Sequence, residues 1–162
     1  MYYCNDYLQS LFFPFFNFFN ETKAAKQDKP SAYVARTIMY SMKDIIETIP
    51  QFVTPYSQKF ITCLLHKSLF TTPSTVSVPK DILKVISGRL PARILVPSLI
   101  TSLQYAIDNG TQSLLTLYAF VENILKNMNR DSIAALHKEM YQFFLLSFDI
   151  RRTNVSQLSS EV

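Results

Sequence analysis

Apolar positions along this chain recur at the three- and four-residue spacing of helices. Val34, Ile38, Met42, Ile45 and Ile49 keep that spacing, and Pro50 stops the run. The chain restarts at Pro55, a residue suited to a helix opening, and Phe60, Ile61, Leu64 and Leu65 form the next apolar face. "TTPSTVSVP" reads as a loop, followed by a short helix over 79–87. The segment "RLPARILVPSLITSL", residues 89–103, keeps a helical apolar face through Leu95, Val96, Leu99, Ile100 and Leu103 despite two prolines. Pro91 is expected to open a short helix. Pro97 is expected to kink the chain and re-aim it, because an interior proline removes a donor and clashes with the turn before it.

Further on, Asn109-Gly110 supplies a helix end, with glycine taking the left-handed C-cap conformation. Leu114, Leu117, Val121, Ile124, Leu125 and Met128 form one more stripe, and Asn129 to Ser132 a turn in which Asp131 is the expected N-cap. Ile133, Leu136, Met140, Phe143, Phe144 and Ser147 place the last helix, with Arg151 and Arg152 just past its end. At the other terminus, residues 5–20 read as one or two short helices, with Pro14 at the first turn of the second, and 21–30 as a polar linker.

Helix pairs therefore recur roughly every 40 residues, the period of HEAT and armadillo units. The expected fold is all-α: a HEAT-like α-solenoid of stacked antiparallel helix pairs. Its expected divisions are helices over 1–70, a loop at 71–80, a helical domain over 81–152 and a disordered tail over 153–162. Each pair has to bury its apolar side against a neighbour, which makes this an interaction architecture.

Composition agrees. The chain has 162 residues, 48% of them hydrophobic, enough for a sizeable core, and only two glycines, Gly88 and Gly110. An all-β fold would draw on more glycine for its turns. A net charge of +4 without a clustered basic arm does not mark a dedicated nucleic-acid module. No apolar run approaches the ~20 residues of a membrane span, and the start lacks the basic region of a signal peptide. Cys4 and Cys63 are too far apart in sequence to suggest a disulfide framework or a zinc site, and read as buried reduced thiols.

Catalytic chemistry is not indicated. His66 and His137 lie on separate predicted helices without Cys, Asp or Glu at metal-ligand spacing. Ser98 and Ser102 share a helical face with no partner base nearby in sequence, and no phosphate-binding loop or nucleophile-elbow motif occurs. The expectation is a non-enzyme without cofactor, metal or small-molecule substrate.

The segment containing Pro91, Ala92, Arg93 and Pro97 resembles the C-terminal-type domain of the small nucleolar RNA-associated protein 10 family, also called HEAT-repeat-containing protein 1. The likeness continues with Met128 and Arg130 in a Met-x-Arg turn, Phe143 and Phe144 in a Phe-rich helix, and a closing Asp149, Arg151 and Arg152. It spans about residues 88 to 152; members of that family are far longer than this chain. The resemblance implies a nucleolar scaffold of the small-subunit processome that acts with its transcription-coupled subcomplex. It implies support for pre-rRNA processing and RNA polymerase I transcription, with direct contact to small nucleolar RNA or pre-rRNA left open. A HEAT-type transport or adaptor protein that binds protein cargo is the alternative.

Two features bear on partners. Arg89, Arg93, Arg151 and Arg152 read either as a patch that contacts RNA backbone or an acidic surface, or as helix-end charges with Arg93 or Arg151 bridging to Asp149. The run "LFFPFFNFF" reads either as the core of a terminal unit or as a docking surface.

Overall fold

A computed structural model describes residues 32–71, 73 and 75–160, with side chains described as far as Asp149. The expectations for 5–20, for the linker 21–30 and for the Phe-rich run lie outside the described residues. So does Cys4.

Among the described residues there are helices and turns but no strand. In chain order the helices are α1 (Ala32–Thr48), α2 (Pro50–Val53), α3 (Ser57–Leu64), α4 (Val78–Arg89), α5 (Ala92–Asp108), α6 (Thr111–Asn127) and α7 (Arg130–Ser160). Short 3₁₀ turns at Thr54–Tyr56 and Lys67–Phe70 flank α3. Helix α1 packs on α4 and α4 on α6, which makes one layer; α3 packs on α5 and α5 on α7, which makes the other. Contact between α5 and α6 ties the layers together. The result is an all-α solenoid of stacked helix pairs.

The core follows the stripes legible in the sequence. Met39, Met42, Ile46, Phe60, Ile61, Leu95, Val96, Leu99, Leu117, Phe120 and Phe143 are fully or almost fully buried. One continuous apolar cluster runs from Ala35 to Phe143. Burial of this kind contributes about 25 cal/mol per Å² of apolar surface.

Hydrogen bonds fix one pair against the next. The Gln58 amide donates to the Ser102 hydroxyl at 3.2 Å, and the Ser113 hydroxyl donates to the Leu65 carbonyl at 2.6 Å. The Lys67 backbone N–H donates to Asn109 Oδ1 at 3.0 Å. Ser102 and Ser113 are fully buried, and each finds a partner on another helix pair.

Several local expectations are corrected. Pro97 lies inside a helix that runs unbroken from Ala92 to Asp108; a short helix and a re-aimed successor do not occur. Pro97 leaves the Arg93 carbonyl, four residues earlier, without its usual donor, and both residues are exposed. Asn109-Gly110 does end α5, as expected: Asn109 is its C-cap, and Gly110 follows with positive φ and is also the N-cap of α6. Its φ of 96° and ψ of 178° belong to a region that only glycine adopts readily. That geometry turns the chain between α5 and α6 within two residues.

Pro55 falls in the 3₁₀ turn and α3 begins at Ser57, while Pro50 opens α2 at its first position. Asn129, rather than Asp131, caps α7: its Oδ1 accepts from the Ser132 N–H at 2.8 Å. Helix α7 continues to Ser160, so Arg151 and Arg152 are interior to it and the stretch expected to fray has helical backbone. Residues 150–160 contain no proline or glycine that would break the helix. Ile133 and Phe144, expected in the core, are exposed at 48% and 38%.

Candidate partner-contact surfaces

Two of the segments that carry family-like residues meet in space. The end of α4, the Leu90-Pro91 corner and the start of α5 face the corner between α6 and α7 across a groove of about 370 Å³. Pro91, Ala92 and Met128 all line it, together with Arg89, Asn127, Asn129 and Ser132. Leu90, Leu95 and Ile124 give it an apolar floor. Its two walls are joined by the Asn127 amide, which donates to the Ser87 carbonyl at 3.1 Å and to the Ser87 hydroxyl at 3.3 Å. Ser87 in turn donates to the Lys84 carbonyl at 2.8 Å.

Arg89 lines this groove, and Arg93 and Arg130 each follow a lining residue, Ala92 and Asn129, in sequence. Arg89 is exposed in the last turn of α4, where the helix dipole favours a cation. Arg93 and Arg130 are also exposed, but each stands in the first turn of its helix, where the dipole disfavours positive charge. Helix-end stabilisation therefore accounts for Arg89 and fails for Arg93 and Arg130. Neither Arg89 nor Arg93 forms an ion pair among the described residues. Arg151 and Arg152 lie over twenty residues along α7 from this corner, on a different part of the helix. The four arginines singled out in the sequence are thus split between two places. Arg130, which the partner-contact reading omitted, stands beside the groove residue Asn129.

The remaining reactive side chains have structural work. Cys63 is buried, and burial pushes its thiol pKa up to about 12, with Lys59 pulling weakly the other way. Tyr105 is shifted up for the same reason, with a further upward push from Cys63 and a downward pull from its hydrogen bond with Asn109. His66 is buried and caps the Lys67–Phe70 turn: its Nδ1 accepts from the Ser68 N–H at 3.3 Å. His137 is exposed on α7, and its Nδ1 donates to the Ala134 carbonyl at 2.7 Å. Among the described residues no group of His, Cys, Asp and Glu could hold a metal ion, and no helix is long and apolar enough to cross a membrane. Ser98 donates to the Ile94 carbonyl and Ser102 accepts from Gln58, so both serve packing.

A second surface lies along α7. Tyr141 and Phe148 are each 65% exposed, with Leu145 and Phe144 between them also exposed. Among the described side chains of this helix, Leu136, Met140, Phe143 and Ser147 are the buried ones.

Comparison with known proteins gives a consistent set of relatives. The chain is 25% identical over 138 residues, 82% of its length, to HEAT repeat-containing protein 1 homolog of Dictyostelium discoideum. It is 25% identical over 129 residues, 80% of its length, to U3 small nucleolar RNA-associated protein 10 of Schizosaccharomyces pombe. It is 24% identical over 110 residues, 65% of its length, to HEAT repeat-containing protein 1 of Danio rerio. The chain spans 6%, 8% and 5% of these relatives, respectively. No protein-family model and no solved structure matches it. The likeness to the family suspected from residues 88–152 therefore holds, and it reaches over most of the chain.

Proposed function

We propose that this chain is a scaffold element of small-ribosomal-subunit biogenesis, acting in the nucleolus by protein contact and without catalysis. Similarity over about four-fifths of the chain to a protein named for its association with U3 small nucleolar RNA carries this reading. The architecture agrees with it: stacked helix pairs offer extended surfaces, and the reactive side chains are occupied in capping and packing. Its partners in this reading are other small-subunit processome proteins of the transcription-coupled subcomplex, with support for pre-rRNA processing and RNA polymerase I transcription as the outcome.

Within this reading the groove between the α4/α5 and α6/α7 corners, bordered by Arg89, Arg93 and Arg130, contacts an acidic surface of the particle. Two of these cations stand where the helix dipole opposes them, so a partner is the better reason for their presence. The test is co-sedimentation of the tagged chain with precursors of the small ribosomal subunit. Wild type should travel with the precursors, and Arg89→Glu/Arg93→Glu should shift to the top of the gradient. A wild-type chain that stays free of precursors and shuttles through the nuclear envelope would favour a cargo adaptor instead.

A further inference from the structure

Helix α7 carries two apolar faces, and the fold uses one. Leu136, Met140, Phe143 and Ser147 face inward. Tyr141, Phe144, Leu145 and Phe148 recur at i, i+3, i+4 and i+7, a separate stripe, and are 65%, 38%, 46% and 65% exposed. A helix that only had to cover the core would need the first set alone.

Charge along the helix points to the occupant. Exposed Arg130 precedes Tyr141 by three helical turns on the same face. By register, the backbone positions of Arg151 and Arg152 fall seven residues beyond Phe144 and Leu145, continuing the stripe at its other end. Glu139 lies opposite, and Asp131 and Asp149 lie about a quarter-turn to the side. The stripe is therefore uncharged along its length and bracketed by cationic residues.

We propose that this face docks an amphipathic helix of a partner protein whose apolar stripe is bracketed by acidic residues. The inference rests on the preceding reading only in taking the chain to work through protein contacts. A second copy fits poorly: antiparallel pairing that matches Tyr141 with Phe148 sets Lys138 against the position of Arg151, cation against cation. Single-stranded RNA would stack on Tyr141, Phe144 and Phe148, but Leu145 among them offers a base no ring, and an oligouridylate competitor tests that reading directly.

The full chain can be titrated by fluorescence anisotropy with two labelled synthetic helical peptides. Both carry leucine at i, i+3, i+4 and i+7; one is bracketed by glutamates and the other by lysines. The glutamate peptide is expected to bind about tenfold more tightly than the lysine peptide, with the gap narrowing in high salt. Tyr141→Asp/Phe148→Asp should abolish binding and leave the circular dichroism spectrum and Tm unchanged, since both side chains are largely exposed. Equal affinity for the two peptides, or binding indifferent to the double substitution, would overturn the proposal. Three further results would assign the face elsewhere and also overturn it. These are a wild-type dimer that the double substitution dissolves, an oligouridylate that outcompetes the glutamate peptide, or peptide binding that appears only after Phe12→Asp/Phe16→Asp. Co-sedimentation with ribosomal precursors is a separate readout: its loss with peptide binding intact sinks the cellular setting and leaves the docking face standing.

Discussion

Asn127, the last residue of α6, donates from its side-chain amide to both the carbonyl and the hydroxyl of Ser87, 40 residues earlier, at 3.1 and 3.3 Å. This pair closes the groove and joins two corners that carry family-like residues. Asn127→Ala should lower stability by about 1–2 kcal/mol, since it removes two partly buried hydrogen bonds. A denaturant titration measures the loss, and a double-mutant cycle with Ser87→Ala should show coupling between the two sites.

Gly110 provides a second test. Any other residue at its φ of 96° is strained even though there is room for a Cβ. Gly110→Ala should cost about 1–3 kcal/mol, read from the thermal midpoint. A neutral result would mean that the corner between α5 and α6 relaxes without penalty.

Much of this fold could be read from the order of residues, because apolar spacing and burial are two views of one periodicity. Leu95, Val96, Leu99 and Leu103 were legible as an inward face and are inward. Phe144 was not, because a stripe that flanks the core is also apolar, and sequence alone does not say which of two adjacent stripes is covered. The groove was invisible for another reason: Ser87 and Asn127 are joined only through the stacking of α4 on α6, and no local pattern marks that pair. Pro97 misled because the loss of one backbone bond does not by itself end a helix of 17 residues.

Pro97 accordingly gives a prediction with a sign. Pro97→Ala restores the missing backbone bond in an exposed part of α5, and should raise stability by about 1–3 kcal/mol, less what proline contributes by stiffening the unfolded chain. A substitution that destabilises would show that packing around α5 depends on the proline ring.

Charge reversal at Arg93 and Arg130 should separate stability from contact. Placing glutamate in the first turn of α5 or α7 should stabilise each helix by roughly 0.5–1 kcal/mol through the dipole. The same change at Arg93 should weaken association with ribosomal precursors. Parallel gains in both would remove the partner reading of this arginine.

The Cys63 thiol links folding to pH. In the unfolded chain it titrates near 9.0; in the folded chain burial holds it protonated up to about 12. Below pH 9 both states carry the proton and the folded state has its full stability. Between 9 and 12 the unfolded chain releases a proton that the folded chain keeps, so stability falls across that window. Urea midpoints measured from pH 8 to 11 should show the decline, and Cys63→Ala should flatten most of it. At pH 8 the folded thiol should also resist iodoacetamide until denaturant is added.

The bonds from Gln58 to Ser102, Ser113 to Leu65 and Asn127 to Ser87 cross from one helix pair to another. Oily faces alone would let neighbouring pairs creep along each other, much as stacked greased rods can slide. Directional bonds at fixed positions act as notches. Each helix pair is thereby held in one register on the next.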